Sequence, residues 1–487
     1  MKNTAPLVLA LDQGTHATRA VVFDPTGEIR AQALQPIALS TPTAGWVEQD
    51  PQELVASVHA VLASIATQLD ADQQRLIRHA GLATQRASIV CWDRTTGTAL
   101  TPLLSWQDTR ASRWLDGFAP HQDEIAARTG LRLSPHYGVS KLHWCLNHVA
   151  AVQAARRENR LAAGPWVSYL LRQILAEQPH LCDPGNASRT LLWNLRGQDW
   201  DPALLALFGI PASILPAARA SRADYGSLRL GRRRIPLDLV MGDQPAALFA
   251  QGPLAADTLF VNLGTGAFLL HPLPPGSAAT TAPGLLTTTV YADATTLQLA
   301  LEGTVNGAGR ALQDFATEHR LHDLEHHLPE WLGTITAPPL FLNGVGGLGS
   351  PLWQARFPSG FSANETPAAC AVAVVESIVF LLQLNLDAMR PALSRDPART
   401  LVSGGLSHLD GLCQRLADLS GIEVQRSSDH EATARGLGYL LRACENIPDR
   451  REGDPGRGEQ GARGPKLGSV AGLHDPISGL LQRRTPR

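Results

Sequence analysis

The sequence predicts an α/β protein built from two duplicated domains, and three observations carry that expectation. A chain of 487 residues is longer than one hydrophobic core organises. Short apolar runs of strand character alternate with longer segments of helical spacing, as in layered α/β architectures. One strand–turn–strand unit then recurs half a chain later, at residues 7–24 and again at 258–270.

In chain order, the apolar run 7–11 ends at Asp12-Gln13-Gly14-Thr15 and residues 19–24 resume a strand, a β-hairpin whose Gly-Thr turn faces outward. Pro25-Thr26-Gly27 makes the next turn. Residues 81–86 and 87–92 read as strands, with a turn at Thr95-Thr96-Gly97. Helical spacing covers 142–160 and 166–176. Residues 212–238, rich in Arg, Ala and Pro, read as a connecting excursion that runs into a strand over 235–240. The second echo passes through 258–263 into Gly264-Thr265-Gly266 and resumes at 267–270. Helices are expected over 305–319, 368–390 and about 410–419, with a strand over 400–404 that ends in Gly404-Gly405. The expected domains are 1–244 and 245–444. From 445 to 487, Gly, Arg, Pro and Glu dominate without apolar periodicity, which predicts a disordered tail.

Composition excludes several functions. The 42 basic and 44 acidic side chains leave a formal net charge of -2, which supplies no field for gripping nucleic acid or an anionic membrane. Lysine occurs only at Lys2, Lys141 and Lys466, so chemistry that needs one would rest on Lys141, and no G-x-x-x-x-G-K-[ST] run offers a Walker A site. The cysteines at 91, 145, 182, 370, 413 and 444 form no C-x-x-C pair and read as buried free thiols of a cytoplasmic protein. Asp12 interrupts the first apolar run too early for a signal-peptide core. The longest apolar stretch, 368–386, is broken by Glu376 and Gln383 and reads as a buried helix, not a membrane span.

Several residues are candidates for chemistry. A Gly-Thr turn lets backbone N–H groups approach phosphate oxygens and adds a hydroxyl donor, so Gly14-Thr15 and Gly264-Thr265 could close on one phosphate chain from two sides. Asp12, beside the first turn, suits a Mg²⁺ that bridges phosphates, or simply stabilises the turn. Gly404-Gly405 could offer bare backbone to a base or ribose, or make a tight strand-to-helix turn. Asp243, between the strand 235–240 and a helix from Ala246, sits where α/β proteins present side chains into a crevice. It suits a general base for a hydroxyl attacking phosphorus, or a helix N-cap. Gln85-Arg86, Trp106-Gln107-Asp108 and Phe268 are the remaining candidates, since Arg forks onto hydroxyls and aromatic rings pack on C–H faces.

The combination resembles the FGGY carbohydrate kinases, and within that family the glycerol kinases. The resemblance rests on Ala10-Leu-Asp-Gln-Gly-Thr15 with Arg19-Ala-Val-Val, on Gly45-Trp-Val-Glu-Gln-Asp-Pro51, and on Gln85-Arg86. It continues through Trp106-Gln107-Asp108-Thr-Arg110, Thr129-Gly-Leu131 with Ser134-Pro135, and Gly242-Asp-Gln244. In the second half it rests on Leu263-Gly-Thr-Gly-Ala-Phe268, Leu301-Glu-Gly303, Gly404-Gly405 and Thr433 to Leu440. It implies an actin-like (ribonuclease H-like) ATPase fold with its active site in the interdomain cleft, and transfer of the ATP γ-phosphate to a hydroxyl of a small polyol or sugar. It further implies Asp243 as general base and Asp12 as the Mg²⁺-associated carboxylate. Gly14, Thr15, Gly264, Thr265, Gln313, Gly404 and Gly405 fall on the ATP side, and Arg86, Trp106, His136, Gln244 and Phe268 on the acceptor side. A homo-oligomer is compatible with it.

This chain departs from the pattern at defined places. Ala87 replaces a carboxylate that receives a glycerol hydroxyl, and His136 stands where a tyrosine is usual, with Tyr137 one place later. A site built for a hydroxyl discriminates strongly, so the two changes point away from glycerol toward a larger polyol or a ketose. His16, Ser403 and Leu409 replace a hydroxyl residue, an Asp and an Asn on the nucleotide side. These replacements admit a rival, a non-catalytic nucleotide-binding regulatory relative, against which Asp12 and Asp243 stand. Gly231-Arg-Arg-Arg234, near a segment that binds an allosteric sugar phosphate in some glycerol kinases, reads as a solvated basic loop or an anion site.

Overall fold

The computed structural model describes residues 5–277, 282–427 and 431–443. The expected tail, with Lys2, Lys466 and Cys444, lies outside the described residues. Two six-stranded sheets organise the chain. The first holds β1 (Leu7–Gln13), β2 (Ala17–Phe23), β3 (Ile29–Pro36), β4 (Ile77–Thr84), β5 (Ser227–Leu230) and β6 (Arg233–Gly242), in the spatial order β5-β6-β4-β1-β2-β3. The second holds β7 (Thr258–Leu263), β8 (Ala267–Pro272), β9 (Leu286–Ala292), β10 (Leu297–Val305), β11 (Arg399–Ser403) and β12 (Glu423–Arg426), in the order β9-β10-β8-β7-β11-β12. In each sheet an antiparallel hairpin is followed by two strands parallel to its first member, so the repeated turn motif marks a repeated topology.

Register explains the site. Strand β1 is apolar from Leu7 to Leu11 and buried along its whole length, as a central strand covered on both faces must be. It runs parallel to β4, pairing Gln13 with Thr84, and β4 runs parallel to β6, pairing Thr84 with Gly242. Asp12, Arg86 and Asp243 therefore emerge at one carboxyl edge, the place where open α/β sheets bind ligands. In the second sheet Asn262 pairs with Ser403, which brings Gly264 and Gly404 to one edge in the same way.

Helices close the layers. Helix α1 (Pro51–Gln68) starts where Asp50 accepts from the Gln52 N–H and proline occupies its first turn. Helix α2 (Gly138–His148) ends at Val149, in extended conformation, and a separate helix follows over Ala150–Arg157, so the expected single helix over 142–160 is broken. Val305 belongs to β10, and the helix expected from there begins at Gly309, as α5 (Gly309–Glu318) below. The Arg-rich excursion proves to contain the hairpin β5–β6, and Gly231 forms its turn at φ +56°. Arg233 there donates to the Gln74 carbonyl, so the basic segment is part of a sheet edge.

Helix α3 (Pro184–Ala187) and α4 (Asp243–Ala247) lie at the first sheet's carboxyl edge, and α6 (Pro367–Met389), α7 (Asp410–Ser420) and α8 (Ala432–Ala443) follow. Helix α6 is apolar enough to cross a membrane by composition, yet its residues fill the second core, from Ala371 to Met389. The last helix, α8, returns to the first sheet, where Leu441 meets Gly81 and Gly438 makes room for Phe23. The cysteines among the described residues are free and buried.

Candidate active site

The first Gly-Thr turn is held by a belt of amides. Gln13 Nε2 donates to the Gly14 carbonyl at 2.8 Å, and Gln49 Nε2 donates to the Thr15 carbonyl at 2.9 Å. Gln85 Nε2 donates to Gln49 Oε1 at 2.9 Å, and Trp166 donates its indole N–H to Gln13 Oε1. Gln85, a candidate from sequence, thus braces the turn from behind. Trp106 Nε1 donates to Thr15 Oγ1 at 3.1 Å. With that lone pair taken, the Thr15 hydroxyl hydrogen is left to donate into the cleft.

Asp12 lies within electrostatic reach of Asp243. Burial lifts the Asp12 carboxyl to about 7, the Asp243 carboxylate adds to the rise, and Arg19 opposes it. Asp12 Oδ1 is buried and has no hydrogen-bond partner among the described residues. Burial also raises Asp243, against the pull of Arg86. Asp243 is not the cap of α4: Gly242 holds that position, and the Asp243 carboxylate accepts from the neighbouring Gln244 N–H at 2.8 Å. Arg86 Nη2 donates to Gln244 Oε1 at 2.6 Å, so the guanidinium, the amide and Asp243 form one cluster.

The second turn packs against the start of α5. The Gly264 carbonyl accepts from Gly309 N–H at 2.9 Å, and the Thr265 carbonyl accepts from Arg310 N–H at 3.0 Å. A Cβ on Gly309 would come within 2.8 Å of the Gly264 oxygen, so glycine is needed for this approach. Gly404 sits at φ +88° and ψ 169°, a backbone reserved for glycine, and a Cβ there would meet the Leu263 oxygen at 2.6 Å. Gly405 faces open space. Gln313 lies exposed on α5, one turn past the helix start. Ser403 accepts from the Asn262 side chain at 3.1 Å, and Leu409 precedes α7.

The acceptor candidates gather at the junction of the halves. His136 Nδ1 lies 3.2 Å from the Trp106 carbonyl on an exposed rim. Tyr137 turns inward, its ring 5.9 Å from the Arg189 guanidinium. Phe268 pairs with Thr304 across β8 and β10, which puts it on the same sheet face as Glu302 and Thr288. Ala87, half-way between β4 and the next strand, holds φ +62°. Gln107 is half-buried, and Asp108 serves structure: it accepts from Val47 N–H at 2.8 Å and pairs with Arg110, itself 3.8 Å over the Trp46 ring.

Two groups, Asn186 and Arg189, escaped sequence reasoning, and Lys141 was singled out there without a partner. Asn186 bridges the strand ends, donating to the Met241 carbonyl at 3.3 Å while its amide oxygen accepts from Thr84, and Asp183 caps this helix α3. The Asp183-Pro184 start is a helix signal that could have found it. Lys141 donates to the carbonyls of Pro135, His136 and Tyr137 at 3.1, 2.7 and 3.3 Å, and so holds the turn that carries His136. Arg189 pairs with Glu302, 113 residues away, and no local signal announces it.

Two family models cover almost the whole described chain. The N-terminal domain of the FGGY family of carbohydrate kinases matches residues 7–249, and its C-terminal domain matches 259–443. A glycerol kinase from Polaromonas naphthalenivorans is 36% identical over 457 residues, covering 89% of each chain. One from Koribacter versatilis is 33% identical over 448 residues, again 89% of each. Among solved structures, a Plasmodium falciparum glycerol kinase with ADP superposes with a TM-score of 0.81 at 22% identity, covering 90% of each chain. A xyloylose kinase from Brucella ovis gives 0.80 at 21%, covering 90% and 91%. The chain belongs to the FGGY family of carbohydrate kinases, phosphotransferases that use ATP and an alcohol acceptor, on an actin-like two-domain fold.

Proposed function

We propose that Asp243 removes the proton from an acceptor hydroxyl as that oxygen attacks the γ-phosphorus of ATP. The observation that carries this reading is the cluster of Asp243, Arg86 and Gln244 at the sheet edge that also bears Asp12. Burial holds the Asp243 carboxyl above the usual carboxylate range, which brings a weak base closer to working pH. Arg86 and Gln244 hold the acceptor hydroxyls, with Trp106, Phe268 and His136 along its C–H faces and rim. Gly14 and Thr15 approach the phosphates from one side, Gly264 and Thr265 from the other. Gly404, Gly405 and Gln313 receive the nucleoside.

Asp12 fits a divalent cation. Asp12 Oδ1 is buried without a hydrogen-bond partner among the described residues, and burial together with the Asp243 charge raises the Asp12 carboxyl against the pull of Arg19, so a cation there would be welcome. No cluster of three or more His, Cys, Asp or Glu side chains occurs among the described residues, in keeping with Mg²⁺, which needs one or two carboxylates beside water and phosphate oxygens. Bound there, the ion would supply positive charge against the phosphate oxygens. The buried free thiols support a cytoplasmic location.

On acceptor size, the buried Ala87 offers only a methyl next to Arg86, and the Tyr137 ring faces the Arg189 guanidinium. We read this as room for four or five carbons, a tetritol, pentitol or ketose. An ADP-release screen over glycerol, erythritol, xylitol, D-xylulose and D-glucose tests it. Faster turnover of a four- or five-carbon acceptor than of glycerol is expected. Glycerol as the best acceptor would overturn the size reading, and no ADP with any acceptor would overturn the kinase reading.

A further inference from the structure

Beneath the acceptor cluster lies a polar junction that the proposed mechanism leaves unused. Arg189 comes from the first half of the chain, directly after the short helix α3, and Glu302 and Thr288 come from strands β10 and β9 of the second. All three are buried. Arg189 forks onto Glu302, Nη1 to Oε1 at 3.2 Å and Nη2 to Oε2. The same Nη2 donates to Thr288 Oγ1 at 2.9 Å, and Arg86 Nη1 reaches that hydroxyl at 3.4 Å. Tyr137 covers the Arg189 guanidinium. One hydroxyl therefore receives two arginines, one latched to a carboxylate of the second half and one whose other arm holds Gln244 beside Asp243.

A buried ion pair of this kind adds little net stability over an apolar pair, because desolvation offsets the attraction. Its geometry is what it contributes. The planar fork of arginine, held at both carboxylate oxygens, fixes the direction of the remaining N–H toward Thr288. Thr288 sits on a strand in register with Ala300, two residues from Glu302, so the hydroxyl and the carboxylate move as one rigid unit.

We infer that Arg189 is a positioning residue for the phosphoryl acceptor: latched to Glu302, it fixes the Thr288 hydroxyl that in turn sets the Arg86 fork. The inference rests on the reading that Arg86 lines the acceptor pocket. It assigns Arg189 no contact with ATP, so its loss is felt on the acceptor side and leaves ATP binding unchanged.

The test uses the full chain and the acceptor that wild type turns over fastest among glycerol, erythritol, xylitol, D-xylulose and D-glucose. Absence of ADP with all five removes the kinase reading and this inference together; turnover with any of them leaves the inference to the variants. Thr288→Val deletes the hydroxyl at constant shape, Thr288→Ser keeps it, and Arg189→Lys keeps the charge but not the fork. Thr288→Val and Arg189→Lys are each expected to raise the acceptor KM about tenfold, the size of one hydrogen bond to a charged group. The KM for ATP should stay within about twofold, Thr288→Ser should behave as wild type, and the double variant should be no worse than the worse single, because both act through one contact. An acceptor KM within about twofold of wild type in Thr288→Val, equal rises for ATP and acceptor, or fully additive effects would overturn the inference. If thermal melting shows Arg189→Lys unfolded, the contrast between Thr288→Val and Thr288→Ser decides it.

Discussion

Asp243→Asn isolates the base. The substitution exchanges one carboxylate oxygen for an amide nitrogen, and the remaining oxygen still accepts the Gln244 N–H bonded at 2.8 Å in the native protein. Packing around α4 is therefore retained, and only the capacity to take a proton is lost. General-base groups contribute about 10²- to 10⁴-fold, so kcat should fall by that factor, or about 3 to 5 kcal/mol of barrier. Stability should move the other way. The folded Asp243 carboxyl lies above its unfolded value of 3.8, so the native state binds more protons than the unfolded one in that window. Stability is then lost as pH rises through it, so ionising this carboxyl opposes folding. Removing the charge also relieves Asp12, whose carboxyl Asp243 raises. The variant should melt no lower than wild type at pH 7.5 and bind ATP as well or better by isothermal titration. A coupled ADP-release assay measures the loss of turnover. Near-wild-type kcat in a folded variant would refute the base assignment, and loss of ATP binding would refute the claim that Asp243 acts on the acceptor side.

Three further outcomes follow from other contacts. Gly404→Ala puts a methyl 2.6 Å from the Leu263 oxygen at φ +88°, and should cost about 1–3 kcal/mol in melting and weaken ATP binding, whereas Gly405→Ala, facing open space, should melt as wild type does. Trp106→Phe keeps an aromatic ring but removes the N–H that binds Thr15 at 3.1 Å, and should raise the KM for ATP several-fold in steady-state kinetics, as about 1 kcal/mol predicts. Burial lowers Lys141 from 10.5 to about 7, so the unfolded chain binds the extra proton between those values and this site adds stability as pH rises through them. Lys141→Met should flatten that rise in melting temperature between pH 7 and 9, while raising the acceptor KM through the freed His136 turn.

What could be read from the sequence was local. Both Gly-Thr hairpins announce themselves because an apolar run, a glycine and a second run lie within one supersecondary unit, and the observed strands meet at those turns. The same holds for Asp243, whose strand and helix are contiguous. Its alternative role as a cap was undecidable locally, since both roles put Asp at a strand-to-helix turn, and only the position of Gly242 settles the cap. The break at Val149 carried no Gly or Pro signal. The strand β6 hid its start in basic residues, because Arg233 and Arg234 lead directly into the alternating Ile235 and Leu237. Arg189 was out of reach altogether, its partners Thr288 and Glu302 being 99 and 113 residues away.

In the proposed site the acceptor wall touches the rest by two routes that differ in kind. Through Trp106 it reaches Thr15, a group of the phosphate turn, so a change in Trp106 alters the direction of a phosphate donor as well as the acceptor surface. Through Arg86 it reaches Thr288, which belongs to the second half but to neither Gly-Thr turn. Along the first route, acceptor and nucleotide parameters cannot be separated, because one indole serves both. Along the second they can, because Arg86 and Arg189 meet at a hydroxyl that belongs to neither Gly-Thr turn. A kinase that must favour an alcohol over water gains from the first kind of linkage: an acceptor packed on Trp106 steadies the N–H that leaves the Thr15 hydrogen free for phosphate. Specificity among acceptors calls for the second kind, since it can be adjusted at Arg86, Ala87 and Thr288 without disturbing the phosphate grip. The departure at Ala87 falls on the adjustable side beside Arg86, and that at His136 falls beside Trp106, while the amides around Gly14 and Thr15 remain bonded to one another and to the turn.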